Sequence, residues 1–156
     1  MTSESEGRDP CPPVELQDGG LIGGEDAAWL VQSMARLLPL AAPAVLRLTV
    51  QLVDDARMGE LHGRHMSDPT TTDVLTFVDG TEVDVAVCVD EARRRSEELG
   101  HELRRELLLY ALHGMLHAAG FDDRTPADFA RMHAEEDRLL AAIGLEPTFR
   151  SREDAA

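Results

Sequence analysis

The sequence predicts an α+β domain: a small mixed four-stranded sheet with about five helices. Three observations carry that expectation. Apolar and polar residues alternate with a period of two from Val45 to Val53, and again on both sides of Asp79-Gly80, the pattern of half-buried strands. Apolar residues recur at helical spacing from Glu25 to Leu38 and from Phe129 to Ile143. Between these two helices, the segment from Leu107 to Ala119 is apolar on nearly every side, which predicts a helix buried at the centre. With 156 residues, 43% of them hydrophobic, the chain is long enough for one domain with one core.

Element by element, Met1 to Pro13 holds acids, one Arg and two adjacent prolines. It lacks the basic start and apolar core of a signal peptide and is expected to be a disordered tail ahead of a domain spanning residues 14–145. Val14 to Gln17 reads as a first short strand, followed by a turn at Asp18-Gly19-Gly20 and a break at Gly23-Gly24. The next helix, Glu25 to Leu38, buries Ala27, Leu30, Val31, Met34, Leu37 and Leu38, and sets Glu25 and Asp26 at its positive N-terminal end. Pro39 is expected to stop it, leaving Pro39 to Pro43 as a linker.

The strand Val45 to Val53 turns Leu46, Leu48, Val50 and Leu52 to the core and Arg47, Thr49 and Gln51 to the other face. Asp54-Asp55 opens a short helix to about His62, and Ser67 to Thr71 reads as loop. Asp73 to Val78 and Thr81 to Val89 form a hairpin around Asp79-Gly80, with Val83, Val85, Val87 and Val89 on one face. A helix from Asp90 to Leu99 ends at Gly100, and the central helix runs from His101 to Ala119. Thr125-Pro126-Ala127-Asp128 opens the last helix with a cap, a proline at the first position and an acid. Its core stripe is Phe129, Met132, Leu139, Leu140 and Ile143; Gly144 closes it, and residues 146–156 are a polar tail.

Thirty acids against 15 basic residues give a net charge of −15, which argues against non-specific binding of nucleic acid through a cationic surface. The longest strongly apolar stretch, Leu107 to Leu112, is too short to span a membrane. Cys11 and Cys88 lie in unlike contexts and suggest no disulfide framework, so a cytoplasmic location is expected.

The chemistry concentrates in the run His113-Gly114-Met115-Leu116-His117-Ala118-Ala119-Gly120-Phe121-Asp122-Asp123. Two His four apart share one face of a helix, so both imidazoles reach one zinc at roughly 2.0–2.1 Å. Asp123 would point away if the helix continued, since each residue turns about 100°. Gly120 ends the helix in the left-handed conformation and lets the chain turn back. The run therefore holds three candidate ligands: His113, His117 and Asp123. Incidental burial explains a single His better than two at this spacing followed by a glycine and a carboxylate. Asp122 is the neighbouring alternative to Asp123, with a supporting role the better reading. Three protein ligands and an open position define a catalytic zinc site, so hydrolysis is the expected reaction class. The spacing resembles the zincin motif H-E-x-x-H-x-x-G-x-x-H. Gly114, however, stands where a metalloprotease carries the Glu that serves as general base, which disfavours peptide hydrolysis.

The segments Thr72-Asp73-Val74-Leu75-Thr76-Phe77 and Val83-Asp84-Val85-Ala86-Val87, the run from Glu106 to Asp123 and the final amphipathic helix together resemble the YbeY family. The resemblance extends from about Asp18 to Gly144. The family's signature is similar to H-G-x-L-H-L-x-G-Y-D-H, and this chain reads H-G-M-L-H-A-A-G-F-D-D. The resemblance implies a zinc-dependent endoribonuclease directed at single-stranded RNA, acting in 16S rRNA 3′-end maturation and ribosome quality control. Its implied partners are precursor 16S rRNA and the ribosome or its small subunit, with neither membrane nor DNA. Three departures stand out: Asp123 replaces the family's third His, Met66 takes the place of a loop Arg, and Val83 that of a Gly.

For RNA, Arg47 on the outer strand face and Arg64 in the loop are the candidate phosphate contacts. Arg93 to Arg95, Arg104 and Arg105 read as solvated helix faces, and His62, His65, His101 and His133 as ordinary loop, surface or satisfied residues. Thr72 and Asp73 either line the cleft or only shape the turn. Two alternatives differ in class: a ribosome-assembly factor that binds metal with little nuclease activity, and a metalloprotease-like hydrolase.

Overall fold

The computed structural model describes residues 13–66 and 73–145, the side chains of 64–66 excepted. Along them run β1 (Val14–Gln17), α1 (Gly24–Ala41), β2 (Arg47–Val53), α2 (Asp55–Met66), β3 (Val74–Asp79), β4 (Glu82–Cys88), α3 (Val89–Leu99), α4 (Leu103–Ala118) and α5 (Pro126–Ala142). The expected tail over residues 1–12 with Cys11, the loop from Ser67 to Thr71, Thr72, and the tail from Glu146 lie outside the described residues.

The sheet order is β1-β2-β4-β3. β1 and β4 flank β2 in parallel, while β3 pairs with β4 antiparallel through the Asp79-Gly80 turn, with Thr76 opposite Val85. The mixed four-stranded sheet and five helices expected from the sequence are what the described residues form.

Period-two alternation decides which side of the sheet meets the helices. Leu48, Val50 and Leu52 of β2 and Val83, Val85 and Val87 of β4 share one face. They join Leu30, Met34 and Leu37 of α1 and Leu108, Leu112 and Met115 of α4 in the main core. On the opposite face, Met58 and Leu61 of α2 cover Leu75, Ala86 and Cys88. Helix α4 is buried at every residue from Glu106 to Leu112. It is therefore the rigid axis of the molecule, and its C-terminal turn carries the histidines.

Four expectations change. Helix α1 does not stop at Pro39 but continues to Ala41, with Ala42 N–H donating to the Leu38 carbonyl at 2.9 Å. Leu37, Leu38, Ala41 and Ala42 are all buried there. Burial is worth about 1.5–3 kcal/mol for each leucine alone, enough to offset the roughly 3 kcal/mol that an interior proline costs. Helix α2 runs one turn beyond His62, to Met66, so Arg64 is on a helix rather than in a loop. Leu46 is 69% exposed, because pairing with β4 begins only at Arg47 and the Leu46 N–H is drawn to the Thr81 carbonyl. Phe129, in the first turn of α5, is 43% exposed and packs on the ring of His133 instead of the core.

Among the described residues, no helix is long and apolar enough to cross a membrane.

Candidate metal centre

The last turns of α4 place His113 and His117 on one face, with their rings edge to face and centroids 4.6 Å apart. Gly120 then takes φ 106°, a conformation that L side chains rarely adopt. Phe121 N–H closes the helix on the Leu116 carbonyl at 2.9 Å, and the chain reverses. That turn returns Asp123 to the histidines. Its Oδ2 lies 3.3 Å from His113 Nε2 and 3.8 Å from His117 Nε2, and the two Nε2 atoms are 3.1 Å apart.

The chemistry of these donors shows what the triangle suits. His117 Nδ1 donates to the Phe121 carbonyl oxygen at 3.1 Å, and a carbonyl can only accept. His113 Nδ1 donates to Glu136 Oε2 at 2.8 Å. In the neutral form with the proton on each outer nitrogen, each ring offers its Nε2 lone pair toward the same point, where the two Nε2 atoms are 3.1 Å apart. A tetrahedral ion with bonds of about 2.0–2.1 Å sets its ligand atoms ~3.3 Å apart, so the observed spacing suits a metal. His113, His117 and Asp123 form the metal-capable group found among the described residues.

The group is half-open: the His113, His117 and Asp123 side chains are 18%, 31% and 36% exposed. Burial alone would lower the His113 pKa, but the Glu136 carboxylate at its Nδ1 outweighs that and raises it, helped by the charges of Asp123 and Asp73. Asp122 is turned away from the group. Its Oδ1 accepts from the Asp123 N–H at 2.8 Å, and its Oδ2 meets Arg124 at 3.4 Å, so it braces the turn.

Gly114 faces the sheet. A Cβ there would stand 2.9 Å from both methyls of Val85 and 3.1 Å from Thr76 Oγ1. Any side chain there would force Val85 or Thr76 to shift, which disfavours the glutamate of a metalloprotease. Beside His117 runs a groove of about 440 Å³ lined by Val74 to Val78 and Arg124. Because β3 is an edge strand, one side of its backbone is not paired by the sheet.

The family model described as Endoribonuclease YbeY matches residues 25–144. The chain belongs to the YbeY family. An Endoribonuclease YbeY from Synechococcus sp. strain RCC307 is 36% identical, the match covering 84% of this chain and 95% of that protein. One from Frankia alni is 37% identical over 74% of this chain and 70% of its own. The solution structure of TM1509 from Thermotoga maritima shares the fold, with a TM-score of 0.58 at 22% identity over 83% of this chain and 90% of that one. The YbeY match spans α1 to α5 and so contains the three converging donors, Gly114 and Glu136.

The other candidates lie apart from the group. Arg47 projects from the sheet face opposite α4 and pairs with Glu15 at 2.9 Å. Arg64 is on the last turn of α2, and its side chain, like those of His65 and Met66, lies outside the described residues. Arg94 binds Asp55 and Glu91, and Arg104 lies 4.6 Å over the Trp29 ring, so both are engaged by neighbouring side chains rather than simply solvated. His62 is on a helix; His101 meets the buried Glu106 at 2.7 Å.

Two residues escaped the sequence reading. Arg124 follows Asp123 and lines the groove. Glu136 carried a signal: it falls on the buried stripe of Met132, Leu139 and Leu140, where an acid is out of place.

Proposed function

We propose that this YbeY-family chain is a zinc-dependent endoribonuclease for single-stranded RNA. We place its work in the cytoplasm, in maturation of the 16S rRNA 3′ end and quality control of the small subunit, and take residues 14–145 as the working domain. The observation that carries the reading is the convergence of three donor atoms on one point beside a solvent-facing groove, in a chain of the Endoribonuclease YbeY family.

His113, His117 and Asp123 would hold the ion, with His117 also lining the groove. Bound there, zinc supplies a Lewis acid that activates water and polarises a phosphoryl oxygen. The chain's own residues select the substrate. The groove beside β3 takes one extended strand, and the free backbone edge of β3 offers it donors and acceptors. Among the described residues Arg124 is the cation on this groove; its side chain is 86% exposed in the ion pair with Asp122, which is weak enough for a phosphate to displace. Gly114 leaves no general base beside His113, which weighs against peptide hydrolysis.

The test is cleavage of an end-labelled single-stranded RNA by purified, zinc-loaded protein. Cleavage should stop with chelator and be lost in His113→Ala while the variant stays folded; intact RNA with the wild type would reject the reading. The net charge of −15 favours a second reading, an assembly factor that uses its metal for partner recognition. Full rescue of rRNA processing in cells by His113→Ala would support that one instead.

A further inference from the structure

Glu136 and Glu106 are the two fully buried carboxylates among the described residues. Glu136 is 0% exposed, on the face of α5 that packs against α4. Its Oε2 meets His113 Nδ1, and its Oε1 has no hydrogen-bond partner among the described residues. A carboxyl group buried with one hydrogen bond carries a desolvation cost that a leucine on the same stripe would not. Something at His113 must compensate.

The placement shows what that is. The carboxylate sits behind the ring, on the nitrogen opposite the one that faces Asp123 and His117. It holds the proton on Nδ1, fixes the ring's rotation and leaves Nε2 as the donor. His117 has only a neutral carbonyl in the same position, so the two imidazoles are not equivalent. Asp123 and Glu136 also place two carboxylates around His113, a donor set that suits a divalent cation.

We propose that Glu136 is the positioning residue of the metal centre, a buried carboxylate that holds His113 in its ligating tautomer and supplies the second negative charge that a divalent ion needs there. This rests on reading His113, His117 and Asp123 as ligands. A purely structural role, stapling α5 to α4, makes a different forecast. Glu136→Gln keeps the shape and an acceptor for Nδ1 but removes the charge.

The full chain, stripped of metal, is titrated with zinc against a chromophoric chelator, and its melting is followed without metal. We expect Glu136→Gln to melt near the wild type without metal yet bind zinc ~10–100-fold more weakly, the usual effect of losing an outer partner. Glu135→Gln, a half-buried carboxylate on the same helix that pairs with Arg138, should leave zinc affinity unchanged. Zinc affinity of Glu136→Gln within about twofold of the wild type would overturn the proposal. A wild type that binds no zinc would instead reject the ligand assignment itself, and the proposal with it. A measurement on the unaltered protein guards against a variant that does not fold. Imidazole ¹⁵N shifts of the zinc-loaded wild type should show His113 bound through Nε2 with Nδ1 protonated; binding through Nδ1 would overturn the proposal.

Discussion

At Gly114, packing and chemistry make the same demand. The contacts that a Cβ would make are with the two methyls of Val85, a stiff β-branched side chain in the central sheet. Gly114→Ala would gain about 1 kcal/mol of helix propensity, but overpacking typically costs about 1–3 kcal/mol, so we expect a net loss. A lower urea midpoint at unchanged slope would confirm it; a more stable variant would show that Val85 gives way. Asp123 makes a different demand, for a donor atom. We expect Asp123→Ala to lose zinc affinity by more than the ~10–100-fold typical of outer residues, and Asp123→His to keep its metal. Loss of metal in Asp123→His would mean that the turn after Gly120 admits only the shorter side chain. The three donors were legible because they depend on local rules: the four-residue helical repeat and a glycine that reverses the chain. Glu136 was not, because it meets His113 from 23 residues away, and only the packing of two helices brings them together.

Between elements, the ends of β2 and β4 show how far periodicity reaches. The strands, the hairpin and the central helix could be read from alternation and turn residues alone. The last turn of α1 could not, because burial of Leu37, Leu38 and Ala41 overrides the local veto of Pro39. Nor could the joint between α2 and α3, which start side by side at the ends of neighbouring parallel strands. There Asp90 caps the Asp55 N–H at 2.8 Å, Arg94 grips the Asp55 carboxylate with two bonds, and Cys88 Sγ donates to Asp55 Oδ1. Arg94 above all holds the Asp55 carboxyl below its usual range. Burial pushes the Cys88 thiol up to about 11 from an ordinary value of 9.0, with Asp55 adding to the shift. The fold thus favours the neutral thiol. That contribution is complete below pH 9 and is lost as the pH rises through about 11. We expect Cys88→Ala to be less stable than the wild type at neutral pH, with the difference shrinking across that alkaline window. Urea midpoints over the pH range test this; a gap that stays constant would mean the thiol carries no such linkage.

For the whole molecule the controlling quantity is a net charge of −15 set against a polyanionic substrate. Arg47 is occupied by Glu15 across the sheet, and Arg94 and Arg95 of α3 are paired with Asp55, Glu91 and Glu98. Among the described residues, Arg124 is the cation that lines the groove beside His117, so these residues can neutralise few phosphates there. Each phosphate contact on a single strand contributes about −0.7 to the slope of log affinity against log salt, so one or two contacts give a slope no steeper than about −1.4. Repulsion from the acidic body opposes even this, because salt screens repulsion as well as attraction. We therefore expect a fluorescently labelled single-stranded RNA to bind the zinc-loaded protein with a shallow slope, and Arg124→Ala to bring it closer to zero. A slope of about −4 or steeper would correspond to roughly six phosphate contacts. It would place the RNA on a cationic surface elsewhere, away from the groove beside β3.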